Sequence, residues 1–162
     1  MAIVVLLSVT IAGAQNKNQA GEFNAIFDNY FQLKDALVKS GSKTAAAESA
    51  ELLSALKNVK MESLSESGHT AWMKVMKQLK ENAESIAKTT DLSNQRNHFI
   101  TLSKGIYELQ KVSKTETPVY YQFCPMANNG KGANWLSRDS TIKNPYFGSQ
   151  MLNCGKTVET IK

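Results

Sequence analysis

Apolar residues recur at three- and four-residue spacing through most of residues 21–114. This spacing places them on one face of a helix, and it is interrupted at residues 40–42, 62–68 and 89–91. Four amphipathic helices are therefore predicted, the second beginning near Thr44. Their apolar positions are Phe23, Ile26, Phe27, Tyr30, Leu33 and Leu37 in the first, Ala46, Ala50, Leu53 and Leu56 in the second, Trp72, Met76, Leu79, Ala83 and Ile86 in the third, and Leu92, Phe99, Leu102, Ile106 and Leu109 in the fourth.

Four such helices joined by short loops pack most simply as an antiparallel up-and-down bundle, because each apolar face can be buried only against the others. No proline precedes Pro118, so no residue forces a break inside a helix. The predicted fold class is all-α, with a four-helix bundle over about residues 21–114.

The pattern changes at Thr115. Residues 115–162 contain all the prolines and many aromatic side chains, which are rare in disordered tails. We therefore expect this segment to pack on the bundle as part of one domain, residues 15–162. Turn-forming residues at 128–132 and 144–145 predict irregular loop structure, with a short strand or hairpin at 119–123.

The first residues of the chain have the pattern of a targeting segment. Residues 2–11 are apolar, too short a stretch to span a bilayer as a helix, and Ala12-Gly13-Ala14 is typical of a signal-peptide cleavage site. We predict a signal peptide over residues 1–14 and a periplasmic or secreted mature protein that does not span the membrane.

The chain carries a formal net charge of +5. Its lysines are scattered along the predicted helices and form no basic stripe with interleaved aromatic residues, so nucleic acid is not an expected partner. The sequence lacks four common catalytic motifs: a nucleophile elbow, a zinc-protease motif, a phosphate-binding glycine loop and a Cys-x-x-Cys pair. We predict that the protein is not an enzyme.

The candidate chemistry lies in two motifs that mirror each other. Cys124 and Cys154 are the only cysteines, with Met126 two residues after the first and Met151 three residues before the second. Thiolate and thioether sulfur are the donors that Cu(I) prefers. If the segment folds back on itself, these four residues form a soft-metal site. His98, at the border of the fourth helix's apolar face, is a candidate additional ligand.

Simpler interpretations stay open for each of these residues. In an oxidising compartment Cys124 and Cys154 are equally explained by one disulfide, which would stabilise the fold by about 3–4 kcal/mol in the chain-entropy model. Methionine is a common filler of irregular cores. A lone histidine beside an apolar face is more often structural than a ligand.

Five segments occur in a recognisable order: Gln95–Phe99, Cys124–Ala127, Trp135–Ser137, Asn144–Gly148 and Met151–Gly155. On these segments the chain resembles an uncharacterised bacterial domain of unknown function, common in Bacteroidetes. That family occurs alone behind a signal peptide and also at the C-terminus of periplasmic adaptor subunits of copper and silver efflux pumps. The resemblance implies a periplasmic setting, a link to heavy-metal efflux, and an efflux adaptor or envelope protein as a partner.

Two functions are therefore expected from the sequence. The first is a periplasmic soft-metal-binding protein, most simply for copper, linked to heavy-metal efflux or homeostasis. The alternative is a disulfide-stapled, non-enzymatic interaction module that docks on an efflux or envelope partner and binds no metal. The thiol state of the two cysteines distinguishes them.

Overall fold

The structure is a computed structural model that describes residue 21, residues 23–113 and residues 115–162. The predicted signal peptide, residues 1–14, lies outside the described residues. Consecutive helices pack against each other, which confirms the predicted helical bundle. The helices are α1 (Asn24–Val38), α2 (Ser42–Lys57), α3 (Glu66–Ala87) and α4 (Leu92–Val112), with a 3-10 turn at Met61–Ser63.

Side-chain caps fix where two helices begin. The Ser65 hydroxyl accepts the N–H of Gly68 at 3.1 Å, so α3 begins within the run predicted as loop. The Asp91 carboxylate accepts the N–H of Asn94 at 2.9 Å, as the predicted cap at residues 89–91 requires. The polar loop before α3 is thus shorter than its composition indicates, because serine and glutamate are also favourable residues at a helix start.

The buried face of α2 differs from the predicted one. It consists of Ala45, Ser49, Leu52 and Leu56, and only Leu56 belongs to the predicted set. The difference arises at Ser49, whose hydroxyl is fully buried and donates to the Ala83 carbonyl of α3 at 2.8 Å. A polar side chain can occupy a core position when its hydrogen bonds are satisfied. The pattern of apolar residues alone therefore predicted the wrong face of α2.

The C-terminal segment forms a three-stranded antiparallel sheet and not the predicted irregular structure, so the fold is mostly helical rather than all-α. The strands are β1 (Val119–Cys124), β2 (Ala133–Ser137) and β3 (Lys156–Ile161), in the order β2-β1-β3. The strand predicted at residues 119–123 is confirmed as β1. The missed strands are short and are stabilised by pairing with β1, although the β-branched residues of β3 are typical of a strand.

The sheet packs on the bundle through β2, which lies against α4. Trp135 and Leu136 are fully buried there. The Tyr30 hydroxyl of α1 accepts the N–H of Leu136 at 3.0 Å and lies 2.9 Å from the Ser103 hydroxyl of α4. The expected packing of the segment on the bundle is therefore confirmed. Among the residues that the structure describes, no helix is long and apolar enough to cross a membrane.

Candidate functional site

Cys124 and Cys154 lie side by side at the end of the sheet. Cys124 is the last residue of β1, and Cys154 precedes β3 by two residues. Because β1 and β3 are antiparallel and Phe123 pairs with Lys156, the two cysteines come from adjacent chain segments. Their Sγ atoms are 2.8 Å apart. The prediction that the tail folds back and brings the cysteines together is confirmed.

The two thiols differ in access to solvent. Cys124 is fully buried, whereas Cys154 is partly exposed. The hydrogen bond with the Cys124 sulfur raises the pKa of the Cys154 thiol, burial adds to the increase, and the N–H of Met126 offsets part of it. Because Cys154 is the partly exposed member of the pair, a reagent reaches the two sulfur atoms from its side.

Gly155 allows the chain to approach β1 this closely. Its φ is +144°, and a Cβ at this position would lie 2.8 Å from the Phe123 carbonyl oxygen and 2.9 Å from the Trp135 ring. Glycine alone fits both the conformation and the space. Its place directly after Cys154 holds that thiol against the end of β1.

Asn144 organises the loop that carries Cys154. Its side-chain amide donates to the Cys154 carbonyl at 2.9 Å, and its side-chain oxygen accepts the N–H of Tyr146 at 2.8 Å. Its backbone N–H donates to the Leu152 carbonyl at 2.8 Å. Asn144 is fully buried, so the three bonds are shielded from water. The sequence indicated a turn at Asn144-Pro145 but gave no sign of this link to Cys154.

The two methionines contact the pair through their backbones. The Met126 N–H donates to the Cys154 sulfur, and the Met151 carbonyl accepts the N–H of Cys154 at 3.0 Å. Met126 is 55% exposed, and Met151 is partly buried. Both predicted residues therefore border the cysteines, with the Met126 side chain facing mainly solvent.

His98 is placed elsewhere. Its Nδ1 lies 2.9 Å from the side-chain oxygen of Asn82, which joins α4 to α3. No group of three or more His, Cys, Asp or Glu side chains within the described part of the chain is arranged to hold a metal ion. His98 thus does not join the two cysteines as a third ligand of that kind, and its structural interpretation fits the contacts.

The donor chemistry of the pair fits a soft ion with few ligands. Two thiolates on one ion at about 2.3 Å each would lie roughly 3.8 Å apart in tetrahedral geometry and roughly 4.6 Å apart in linear two-ligand geometry, so the sulfur atoms must separate by about 1–1.8 Å to bind one. The observed contact of 2.8 Å is also close enough for a small movement of the two sulfur atoms to allow a disulfide. The arrangement supports either chemistry, with the two sulfur atoms as its centre.

A family model described as a protein of unknown function, DUF3347, matches residues 26–117. The matched segment contains nearly all of the four helices and neither cysteine. No curated protein and no solved structure matches the chain.

Proposed function

The chain belongs to the DUF3347 family of proteins of unknown function, and we propose that it is a non-enzymatic protein that binds one soft metal ion, such as Cu(I). The reduced thiols of Cys124 and Cys154 are the proposed ligands. The observation that carries the proposal is the convergence of the only two cysteines to an Sγ distance of 2.8 Å. Two thiolates supply charge and softness that Cu(I) prefers and that Mg²⁺ does not.

The surroundings of the pair support this function. Cys154 is partly exposed, which gives an ion a path to the sulfur atoms. Met126 and Met151 border the pair and are proposed as auxiliary thioether donors after a small side-chain movement. The apolar run and cleavage signal at the N-terminus favour a periplasmic or secreted location. The family resemblance then favours a role beside heavy-metal efflux or in metal homeostasis.

A second candidate is favoured by the same distance. Sulfur atoms 2.8 Å apart are closer than one ion would hold them, so oxidation to a disulfide requires less movement than metal binding. In that form the pair would join the end of β1 to the start of β3. The protein would then be a stapled interaction module that docks on an efflux or envelope partner and binds no metal.

An anaerobic titration with Cu(I), combined with a count of free thiols, separates the two candidates. Reduced wild-type protein is expected to bind one Cu(I), and the double variant Cys124→Ser with Cys154→Ser is expected to bind none. Met126→Leu should weaken binding, whereas Met73→Leu, a change at another exposed methionine, should not. Equal Cu(I) binding by reduced wild type and the double variant would reject the metal function and leave the stapled module.

A further inference from the structure

The two thiols of the candidate site are not equally open to a molecule in solution. Cys124 is fully buried at the end of β1, where it pairs with the buried Ala133 of β2. Cys154 lies in the loop before β3 and is partly exposed. The nearby side chains of Met126 and Leu152 are exposed as well, so the loop faces solvent on this side. An incoming reagent therefore meets the sulfur of Cys154 first, while that of Cys124 is shielded.

The shielded sulfur lies directly behind the accessible one. The Sγ atoms of Cys124 and Cys154 are 2.8 Å apart. A thiolate that attacks a disulfide forms a mixed disulfide, and a second thiol resolves it only where it can reach the sulfur that was modified first. Cys124 meets this condition after a small movement of the two sulfur atoms. A mixed disulfide on Cys154 would therefore be resolved from inside the protein.

We propose that the metal site is switched off by thiol–disulfide exchange with a small organic disulfide, with Cys154 as the entry thiol and Cys124 as the resolving thiol. The Cys154 thiolate attacks one sulfur of the oxidant and expels the other as a thiolate. Cys124, after losing its proton to solvent, then attacks the Cys154 sulfur and expels the second thiolate. The cysteine pair loses two protons and two electrons, and the oxidant becomes two thiols.

This switch rests on the proposed function, because it regulates the same pair of ligands. The thiolate is the form of cysteine that binds a metal ion, and the internal disulfide contains no thiolate. Oxidation of the pair therefore releases a bound Cu(I). The ion leaves in an unchanged oxidation state, since both electrons go to the organic disulfide.

The order of the two thiols is tested with bis(2-hydroxyethyl) disulfide, an uncharged reagent, and mass spectrometry of the full chain. Wild type should end as the internal disulfide without an adduct, whereas Cys124→Ser should accumulate one adduct on Cys154. Cys154→Ser should form its adduct about tenfold or more slowly than Cys124→Ser, because its remaining thiol is buried. Each rate is divided by that of the same variant unfolded in urea, where both thiols are accessible.

The release step is tested by the copper that stays with the protein after anaerobic gel filtration. Cu(I)-loaded wild type should lose its copper in the reagent and keep it in buffer alone. Equal relative rates for the two single variants, a lasting adduct on wild type, or copper that stays bound after the internal disulfide has formed would overturn the switch. Reduced wild type that never retains Cu(I) contradicts the proposed function and with it the release, whereas the order of the thiols stands or falls on the variants alone.

Discussion

The side chain of Asn144 donates a hydrogen bond of 2.9 Å to the backbone carbonyl of Cys154. Asn144 is fully buried and also accepts the N–H of Tyr146 at 2.8 Å. The position of the accessible thiol is therefore set by a residue ten positions earlier in the chain. Asn144 acts on the candidate site by positioning Cys154 against Cys124.

Asn144→Ala should destabilise the reduced protein by about 1–3 kcal/mol, because it leaves the Cys154 carbonyl and the Tyr146 N–H without their partner. Urea unfolding measures this change. Asn153→Ala, at an exposed position of the same loop, is the control and should stay within about 0.5 kcal/mol of wild type. Asn144→Ala should also bind Cu(I) more weakly than wild type. Equal stability of the two variants would contradict a positioning role for Asn144.

Oxidation of the cysteine pair should raise the free energy of unfolding by about 3–4 kcal/mol in the chain-entropy model. The reason is that a link between residues 30 apart restricts the unfolded chain. Urea unfolding of wild type with and without reductant measures the difference. The double variant Cys124→Ser with Cys154→Ser should show the same stability in both conditions. A wild type equally insensitive to reductant would show that the pair does not form a stable disulfide.

Tyr30→Phe should cost about 1–3 kcal/mol of unfolding free energy, because it leaves the Leu136 N–H without its partner and removes the contact with the Ser103 hydroxyl at the junction of sheet and bundle. Tyr120→Phe, at a partly buried tyrosine of β1, is the comparison and should cost less. If both substitutions have the same effect on urea unfolding, the Tyr30 hydroxyl does not hold the sheet to the helices.

Tyr107 should titrate well above an ordinary tyrosine. Its hydroxyl donates to the Glu159 carboxylate at 2.6 Å, and this bond, with burial as the second cause, raises the pKa of Tyr107 from 10.0 to about 12. Because the pKa of Tyr107 is raised in the folded protein, the stabilisation from its hydrogen bond to Glu159 is complete below pH 10. It is lost as pH rises through about 12.

The pH dependence can be followed through the ring carbon signal of Tyr107 in NMR spectra. Glu159→Gln should lower the pKa of Tyr107 toward 10, because it removes the charged acceptor. An unchanged midpoint in this variant would mean that β3 is not held against α4 by the Tyr107 contact.

Much of the helical architecture could be predicted because apolar spacing encodes a helix face directly. The face of α2 was wrong because Ser49 is buried through a hydrogen bond to α3, a partner that local spacing does not reveal. β2 was missed for a similar reason, since a short strand containing Asn134 is stabilised mainly by its pairing with β1.

The candidate site was predictable only in part. The mirrored cysteine motifs indicated that the tail folds back, and the 2.8 Å contact of the sulfur atoms agrees. The role of Asn144 was not visible because its hydrogen bonds are made by a loop whose path depends on the whole sheet. His98 was expected near the tail from its helix position, but its hydrogen bond to Asn82 joins it to α3.

X-ray absorption at the copper edge tests the proposed site most directly. The sample is the reduced protein loaded anaerobically with one equivalent of Cu(I), with His98→Gln prepared in the same way as a control. We expect a copper environment made of sulfur alone and the same spectrum for both proteins, since the His98 side chain is hydrogen-bonded to Asn82 of α3. A nitrogen ligand that disappears in His98→Gln, or failure of the reduced wild type to retain copper, would contradict a site built on Cys124 and Cys154.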